Sequence, residues 1–322
     1  MSNSIPNRPG ANQLGDDPHE LNLELFGGEV LTAFLTATKF RDKHQVKTLS
    51  GGKLFKFPAI WRATAEYHVP GTEILGSQIP HTEVIVTPDA KLVSSVFVDE
   101  IDEILNHFDV RAPYATEMGG VLARIYDKNV MRTIIRAARS GALFTGDQGG
   151  SRLTDAGFAT DASKLFDGLS LAKETMDAKD VPVETQPVYA ALPTPLWYLM
   201  ARSDRNLNRD RNGGSASDRA HVLETVDSIQ IIKSNNVPFG ENTVTTPKVE
   251  GADVPEKYRL DASKTKAVVW TPYAAATAEV QGLSSQIVPQ PEKQGTLMLS
   301  RLTAGTDPLR SKCAVELSLP TT

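Results

Sequence analysis

The feature that most constrains this chain is one helical period that starts near Asp109 to Pro113 and runs to Arg139. Tyr114, Met118, Val121, Leu122, Ile125 and Tyr126, then Ile134, Ile135 and Ala138, recur at three- and four-residue spacing. Arg124, Asp127, Lys128, Arg132 and Arg136 fill the other faces, which predicts an amphipathic rod with its charges in water. A proline near the start and Gly141 just past the end fit the usual asymmetry of helix termini. At 1.5 Å per residue the rod spans about 40 Å. Few compact enzymes need a spine of that length.

Before the spine the pattern is extended. Lys53 to Phe57 alternates strictly after Gly51-Gly52, Ala63 to Val69 runs into a Pro70-Gly71 turn, and Val84 to Val86 is β-branched before Pro88. These segments predict a long projecting hairpin with too little apolar material for a core of its own, so it must lie on something else, such as a neighbouring subunit. Residues 1–20 are rich in Asn, Pro, Gly and Asp and read as a flexible arm. Leu23, Phe26, Val30, Leu31 and Phe34 follow at helical spacing, with Gly27-Gly28 predicting a break or a close contact.

After the spine, GALFTGDQGGSR is a glycine-rich connection. Leu165 to Met176 and Pro195 to Ala201 are helical; Pro187 to Leu192, Ile229 to Lys233 and Ala267 to Trp270 are strands. Residues 202–221 and 239–257 are polar loops, and the tail predicts two strands, Gly295 to Leu302 and Lys312 to Leu319, around Thr306-Asp307-Pro308.

Composition narrows the classes. The 322 residues are 40% apolar, enough to bury a real core, and the net charge of −5, with both signs interspersed, leaves no basic footprint for gripping phosphates. The lone Cys313 allows no intrachain disulfide and reads as a buried strand thiol in a protein made in a reducing compartment. The N-terminus lacks the charged and apolar parts of a signal peptide, and no apolar run approaches the roughly 18 residues of a spanning helix. The expectation is a soluble, cytoplasmically made protein with no membrane partner.

Candidate chemistry is thin. Asp99, Glu100, Asp102 and Glu103 precede His107 and Asp109, and Glu103 and His107 share a helical face, half of a metal site. Without a second His or Cys nearby, acids complementing a first helical turn are the better reading, and no metal or other cofactor is expected. There is no Gly-x-Ser-x-Gly elbow, Cys/His pairing or His-Glu-x-x-His helix, and the six histidines (His19, His44, His68, His81, His107 and His221) are scattered, so no catalytic residue is assigned. Gly146 to Gly150 has the wrong spacing for a phosphate loop and reads as a hinge. Arg202, Arg205, Arg209, Arg211 and Arg219 alternate with Asp204, Asp210 and Asp218, which means a solvated face or a subunit contact. Phe55, Phe57, Trp61 and Tyr67 have only Lys53, Lys56 and Arg62 as basic company, so they fit packing on a partner subunit better than stacking on nucleic acid.

Ordered pieces of the chain resemble the major capsid proteins of short-tailed, T-seven-like bacteriophages. They are Phe26-Gly27-Gly28-Glu29-Val30-Leu31-Thr32-Ala33-Phe34, Phe57-Pro58, Pro70-Gly71 with Leu75, His81-Thr82-Glu83, and Asn106-His107-Phe108-Asp109-Val110-Arg111 with Tyr114. Val181-Pro182, Val188-Tyr189 with Pro193 and Tyr198, the Ile229 to Lys233 strand ending at Val237-Pro238, and Leu309-Arg310 continue the order. Relatives tend to place a proline after that arginine, where this chain has Ser311. Residues 141–163, 203–221 and 239–258 have no counterpart in the resemblance.

The resemblance implies an α+β tailed-phage major capsid fold. Residues 1–47 would be an N-terminal arm and short helix, 48–82 an extended β-hairpin loop, 83–159 a peripheral domain built on the spine helix, 160–285 an axial domain, and 286–322 strands returning to the peripheral domain. It implies a non-enzymatic subunit of an icosahedral virion shell around double-stranded DNA, assembled in the host cytoplasm from hexameric and pentameric capsomers. Partners would be a portal protein, a decoration protein where the shell carries one, and packaged DNA by proximity alone. Only about two dozen residues precede Phe26, too few for a built-in scaffold helix, so a separate scaffolding protein is expected. Subunit contacts are expected at Phe26, Glu29, Phe55, Phe57, Trp61, Arg62, Tyr67, His81, Glu83, Arg202, Arg205 and Arg209. Two readings compete: an encapsulin-like compartment, which would carry cargo in place of a genome, and a small hydrolase, which would be a folded monomer with a deep polar pocket and no extended hairpin.

Overall fold

The computed structural model describes residues 20–49, 52, 54–71, 73, 74, 76, 78–99, 111–203 and 225–320, the side chains of 20–28 and 111 excepted. The expected flexible arm, the His107 cluster apart from Asp99, and the arginine-rich loop beyond Ser203 therefore lie outside the described residues.

Helix α1 spans Glu20–Ala37 and α2, the spine, Arg111–Arg139. Strands β1 to β4 are Gln45–Thr48, Phe55–Ile60, His81–Val86 and Leu92–Asp99. After α2 come β5 (Ser151–Thr154), α3 (Ala162–Asp177), β6 (Val188–Leu192), α4 (Thr194–Ala201), β7 (Thr225–Val226) and β8 (Ile229–Lys233). A small ribbon of β9 (Lys248–Val249) and β10 (Ala252–Asp253) leads to β11 (Thr265–Trp270), β12 (Ala275–Gln290), β13 (Gly295–Pro308) and β14 (Ala314–Ser318).

Two sheets flank the spine. One has the order β1-β12-β13-β4, the other β5-β14-β11-β6-β8-β7. The second is the densest part of the molecule: every residue of β6 and β14 is buried, as expected of central strands covered on both faces. Strands β6 and β8 run parallel and are joined through α4, which starts with Pro195 in its first turn. Helix α3 is capped by Asp161, whose carboxylate accepts from the Ser163 amide at 2.8 Å, and buries Leu165, Phe166, Leu169, Ala172 and Met176. Trp270 is wholly buried at the junction, its indole donating to the Lys43 carbonyl at 2.9 Å.

The second half of the spine is largely buried. Asp127 and Arg132 were expected in solvent, but they are 0% and 1% exposed, because α1, both sheets and the 256–258 turn pack on the rod's second half and leave Arg136 and Arg139 as its exposed residues. Tyr114, expected on the apolar face, is 39% exposed. Helix α1 runs through Gly27-Gly28 without a break; the close contact is made by Gly119 of the spine, where a Cβ would stand 2.6 Å from the Val30 carbonyl.

Other expectations change in detail. Ala63 to Val69 forms no strand. Val84 to Val86 lies in β3 and pairs with β2, as the hairpin pattern predicts. Strand β12 is 16 residues long and has no clean alternation, because register shifts between Glu279 and Ser284 change which face each residue takes. Strand β13 continues through Thr306-Asp307-Pro308, where a turn was expected, because Thr306 and Asp307 pair with Thr277 and Ala276. Cys313 is buried in the short turn before β14 and not within a strand. Strand β14 joins the six-stranded sheet and β13 the four-stranded one, so the 286–322 tail is shared between them. The boundaries at 82/83 and 285/286 fall inside the paired strands β3 and β12.

The glycine-rich connection, expected as a hinge, is tightly packed at its base, at Gly149 and Gly150. Gly150 donates to the Ser140 carbonyl at 2.9 Å, and a Cβ on Gly150 would lie 2.3 Å from the Ala138 carbonyl, so the loop is folded tightly back on the end of the spine.

Candidate assembly interface

Among the described residues, the β2–β3 arm and its extension carry several of the most exposed apolar side chains. Its register sets Phe55 opposite Val86 and Ile60 opposite His81, and the Trp61 amide donates to the Pro80 carbonyl at 3.0 Å to close the ladder. One face of the arm's root packs inward: Phe55 and Phe57 meet edge to face at 4.6 Å and lie against Val86, Ala276 and Ala278. The other face and the extension beyond it expose Ile60 at 61%, Val69 at 63%, Ile74 at 75% and Tyr67 fully. Several exposed apolar side chains on one segment are the mark of an interaction surface.

The root is fixed by charge. Thr87, just past β3, donates its amide to Asp307 at 3.0 Å, and its carbonyl accepts from Lys257 at 2.9 Å. Lys257 also pairs with Asp89 at 2.7 Å. On β13, Gly305 has no room for a side chain: a Cβ would stand 2.1 Å from the Thr87 carbonyl. Beyond the strands, Trp61 stacks on Phe144 of the glycine-rich loop at 5.2 Å, and Arg62 pairs with Asp180 at 2.7 Å.

The expected contact residues fall in several places. Lys56 and Glu83 form an ion pair across the arm, His81 Nδ1 donates to the Ile79 carbonyl at 2.6 Å, and Tyr67 is fully exposed. Glu29 is half-buried in a groove between α1 and the spine, lined also by Thr116, Glu117 and Arg124. Phe26 lies on α1 with its side chain outside the described residues, as do Arg205 and Arg209 entirely. Arg202 ends α4, its guanidinium 5.7 Å from the Tyr198 ring. Sequence reasoning missed Lys233, which sits 4.3 Å from Trp197 and 4.9 Å from Tyr198 and makes this end of the six-stranded sheet a cation–aromatic patch. It also missed Phe144, whose signal was a lone aromatic ring in a loop otherwise made of small and polar residues.

The buried polar groups act as structural braces. Glu316, fully buried on β14, takes a bidentate pair from Arg139 at 2.6 and 2.7 Å and a hydrogen bond from Thr265 at 2.6 Å. Asp127 accepts from the Lys39 and Phe40 amides at 2.9 and 3.4 Å and from Asn236 at 3.1 Å, and burial pushes its carboxyl up to about 6. His44 donates from Nδ1 to the Phe40 carbonyl at 2.8 Å and accepts at Nε2 from Thr277 at 2.7 Å; burial lowers it to about 4. These groups tie the exit of α1 to the spine and β12. Among the described residues no group of His, Cys, Asp and Glu side chains has the arrangement of a metal site, and no helix is long and apolar enough to cross a membrane.

A spine helix clasped between two sheets, with a two-stranded arm leaving the body, defines the class of tailed-phage shell subunits. The pattern of the Gp10A-like major capsid proteins matches residues 56–318, and the chain belongs to that family, whose members are phage virion proteins. The major capsid protein of Escherichia phage T7 is 38% identical over 120 residues, an alignment spanning 37% of this chain and 35% of that protein. The sequence match thus covers about a third of that curated relative. The capsid of cyanophage P-SCSP1u matches over the full length of both chains at 32% identity, with a TM-score of 0.78. The mature capsid of bacteriophage PhiM1 shares the fold at 17% identity over 88% of each chain, with a TM-score of 0.73.

Proposed function

We propose that this chain is the subunit that self-assembles, as hexameric and pentameric rings, into an icosahedral phage head enclosing double-stranded DNA. The observation that carries this reading is an arm with several exposed apolar side chains, on a chain that aligns end to end with a cyanophage capsid protein. Many individually weak, repeated contacts close into a shell, so stability resides in the lattice while each contact stays reversible during growth. The subunit's role is structural, not catalytic. The mixed-sign, slightly acidic surface suits proximity to packaged DNA without gripping it.

In this reading the arm, residues 48–82 together with the remainder of β3, lies over an adjacent subunit. Residues 83–159 with β13 form the peripheral domain, and 160–285 with β14 the axial domain. Phe55, Phe57, Trp61, Arg62, Tyr67, His81 and Glu83 act in or beside the arm contact; Phe26 and Glu29 act on the groove beside the spine, and Arg202, Arg205 and Arg209 around ring centres. A separate scaffolding protein guides assembly, a portal protein occupies one vertex, and the outer surface offers room for a decoration protein. The family membership favours this over an encapsulin-like compartment and over a hydrolase. Electron microscopy of the protein expressed with and without its scaffolding partner tests it: closed shells are expected with the partner, and small soluble monomers in both samples would overturn the reading.

A further inference from the structure

We infer that the loop of residues 141–148 is a releasable rest that sets the angle at which the arm leaves the body. The inference builds on the reading of the arm as the contact to a neighbour and adds a control on it. The arm's paired strands end at Ile60 and His81, and the first residue beyond them on the outgoing side, Trp61, is met by a ring from elsewhere in the chain. Phe144 lies nearly parallel to it, with an interplanar angle of 27°. Lys312 approaches the same indole at 5.9 Å while its ammonium pairs with Asp147 at 3.3 Å, so ring, cation and loop carboxylate form one assembly. Arg62 adds the pair to Asp180 at the start of the next turn.

The rest is stiff on the body side and weak on the arm side. Gly149 and Gly150 lie so close to the backbone of Ala138 to Gly141 that the loop's base has no freedom to swing. Its own contact with the arm, by contrast, is a ring stack, and the neighbouring Arg62–Asp180 pair has both partners in water, where solvent screens it. A cleft of about 230 Å³, lined by Ile60, Trp61, Leu143, Phe144, Asp180 and Arg310, adjoins the contact, so the arm is not sealed against the body there. Such a contact holds one orientation in the free subunit and yields when a neighbour offers a better one. A shell built from one chain in both five- and six-membered rings requires that adaptability of its arm.

The test labels the full-length chain at Tyr67→Cys on the arm and Asp167→Cys on α3, native Cys313 being buried, and measures the distance distribution by pulsed electron spin resonance. The unassembled wild-type background is expected to give one narrow peak. Phe144→Ala is expected to shift the seated-to-free ratio by roughly tenfold, the scale of one lost ring pair, and so to broaden the distribution. Its thermal midpoint should match wild type; if it fails to fold, Phe144→Leu keeps the bulk, loses the flat stack, and should broaden the peak by a smaller amount. Thr145→Ala in the same loop is expected to change nothing. Assembly with the scaffolding partner should then yield a wider spread of particle sizes from Phe144→Ala than from wild type. An unchanged narrow peak in Phe144→Ala would overturn the rest, and so would a broadened peak with wild-type particles. If Tyr67→Ser and Val69→Ser together leave assembly intact, the arm-contact reading fails on its own account, whatever the distances show.

Discussion

The six-stranded sheet and the β2–β3 arm are built from similar numbers of β-branched and aromatic residues and have opposite fates. In the sheet, β6 and β14 bury every side chain, and even the carboxylate of Glu316 is enclosed by Arg139 and Thr265. In the arm, one face of the root is covered by β12, and Tyr67, Val69 and Ile74 are among the most exposed apolar side chains of the described residues. The difference separates the two tasks of a shell protein. One region completes its interactions within the chain and sets whether the subunit folds; the other leaves them incomplete and sets what the folded subunit does next.

That contrast is broken first by attacking the sheet. Arg139→Ala leaves Glu316 buried without its bidentate partner, with Arg152 at 3.6 Å as the remaining cation. Removing one member of a buried pair typically costs about 3–5 kcal/mol, a large part of a domain's stability. Urea unfolding of the subunit should show a midpoint shift of that order, and shells should be lost only because folded subunit is lost. A shift below about 1 kcal/mol would mean that the pair is no more valuable than an exposed one.

A second, smaller effect concerns the elbow between α1 and the spine. His44, held at about 4 against an ordinary 6.5, contributes stability that is complete above pH 6.5 and drains away as pH falls through 4. Asp127, raised from 3.8 to about 6, works the other way: its contribution is complete below pH 3.8 and is lost as pH rises through 6. The opposing slopes largely cancel between pH 4 and 6.5, so the wild-type unfolding free energy should be nearly flat there as far as these two groups govern it. Asp127→Asn removes one slope and should expose the other, an acid-dependent loss of roughly 3 kcal/mol over the window. Urea titrations at stepped pH would show it; a variant as flat as wild type would mean that His44 does not titrate as its burial dictates.

Much of this architecture was legible in the sequence, and the gaps have physical causes. The spine was readable because its apolar residues keep a helical period for seven turns, and α3, β6, α4, β8 and β11 because each carries an uninterrupted pattern of its own. Strand β12 was not, because a bulge moves its side chains from one face to the other midway and erases the alternation that would reveal it. Asp127 and Arg132 were placed in water because period alone says which residues share a face and nothing about how many faces are covered. The arm's apolar exposure was readable from its lack of core-forming partners, whereas the Trp61–Phe144 contact joins residues 83 positions apart with no pattern linking them.

The smallest effect on folding is expected where the effect on assembly is largest. Ile60, Val69 and Ile74 are more than half exposed, so their replacement by serine removes almost no surface that folding itself buries. Subunit stability should stay within about 0.5 kcal/mol of wild type, and the unfolding slope, which tracks the surface exposed on unfolding, should not change. Particle yield with the scaffolding partner should fall sharply, because each removed side chain is lost from every repeat of the contact around the shell. Phe57→Ser is the internal contrast. Phe57 packs on Phe55 and the Val86 cluster within its own chain, so part of its effect should appear as lost subunit stability before any assembly is attempted. If the Ile60, Val69 and Ile74 substitutions destabilise the subunit as much as Phe57→Ser does, those side chains are covered in solution and the division between a self-sufficient body and a waiting arm is wrong.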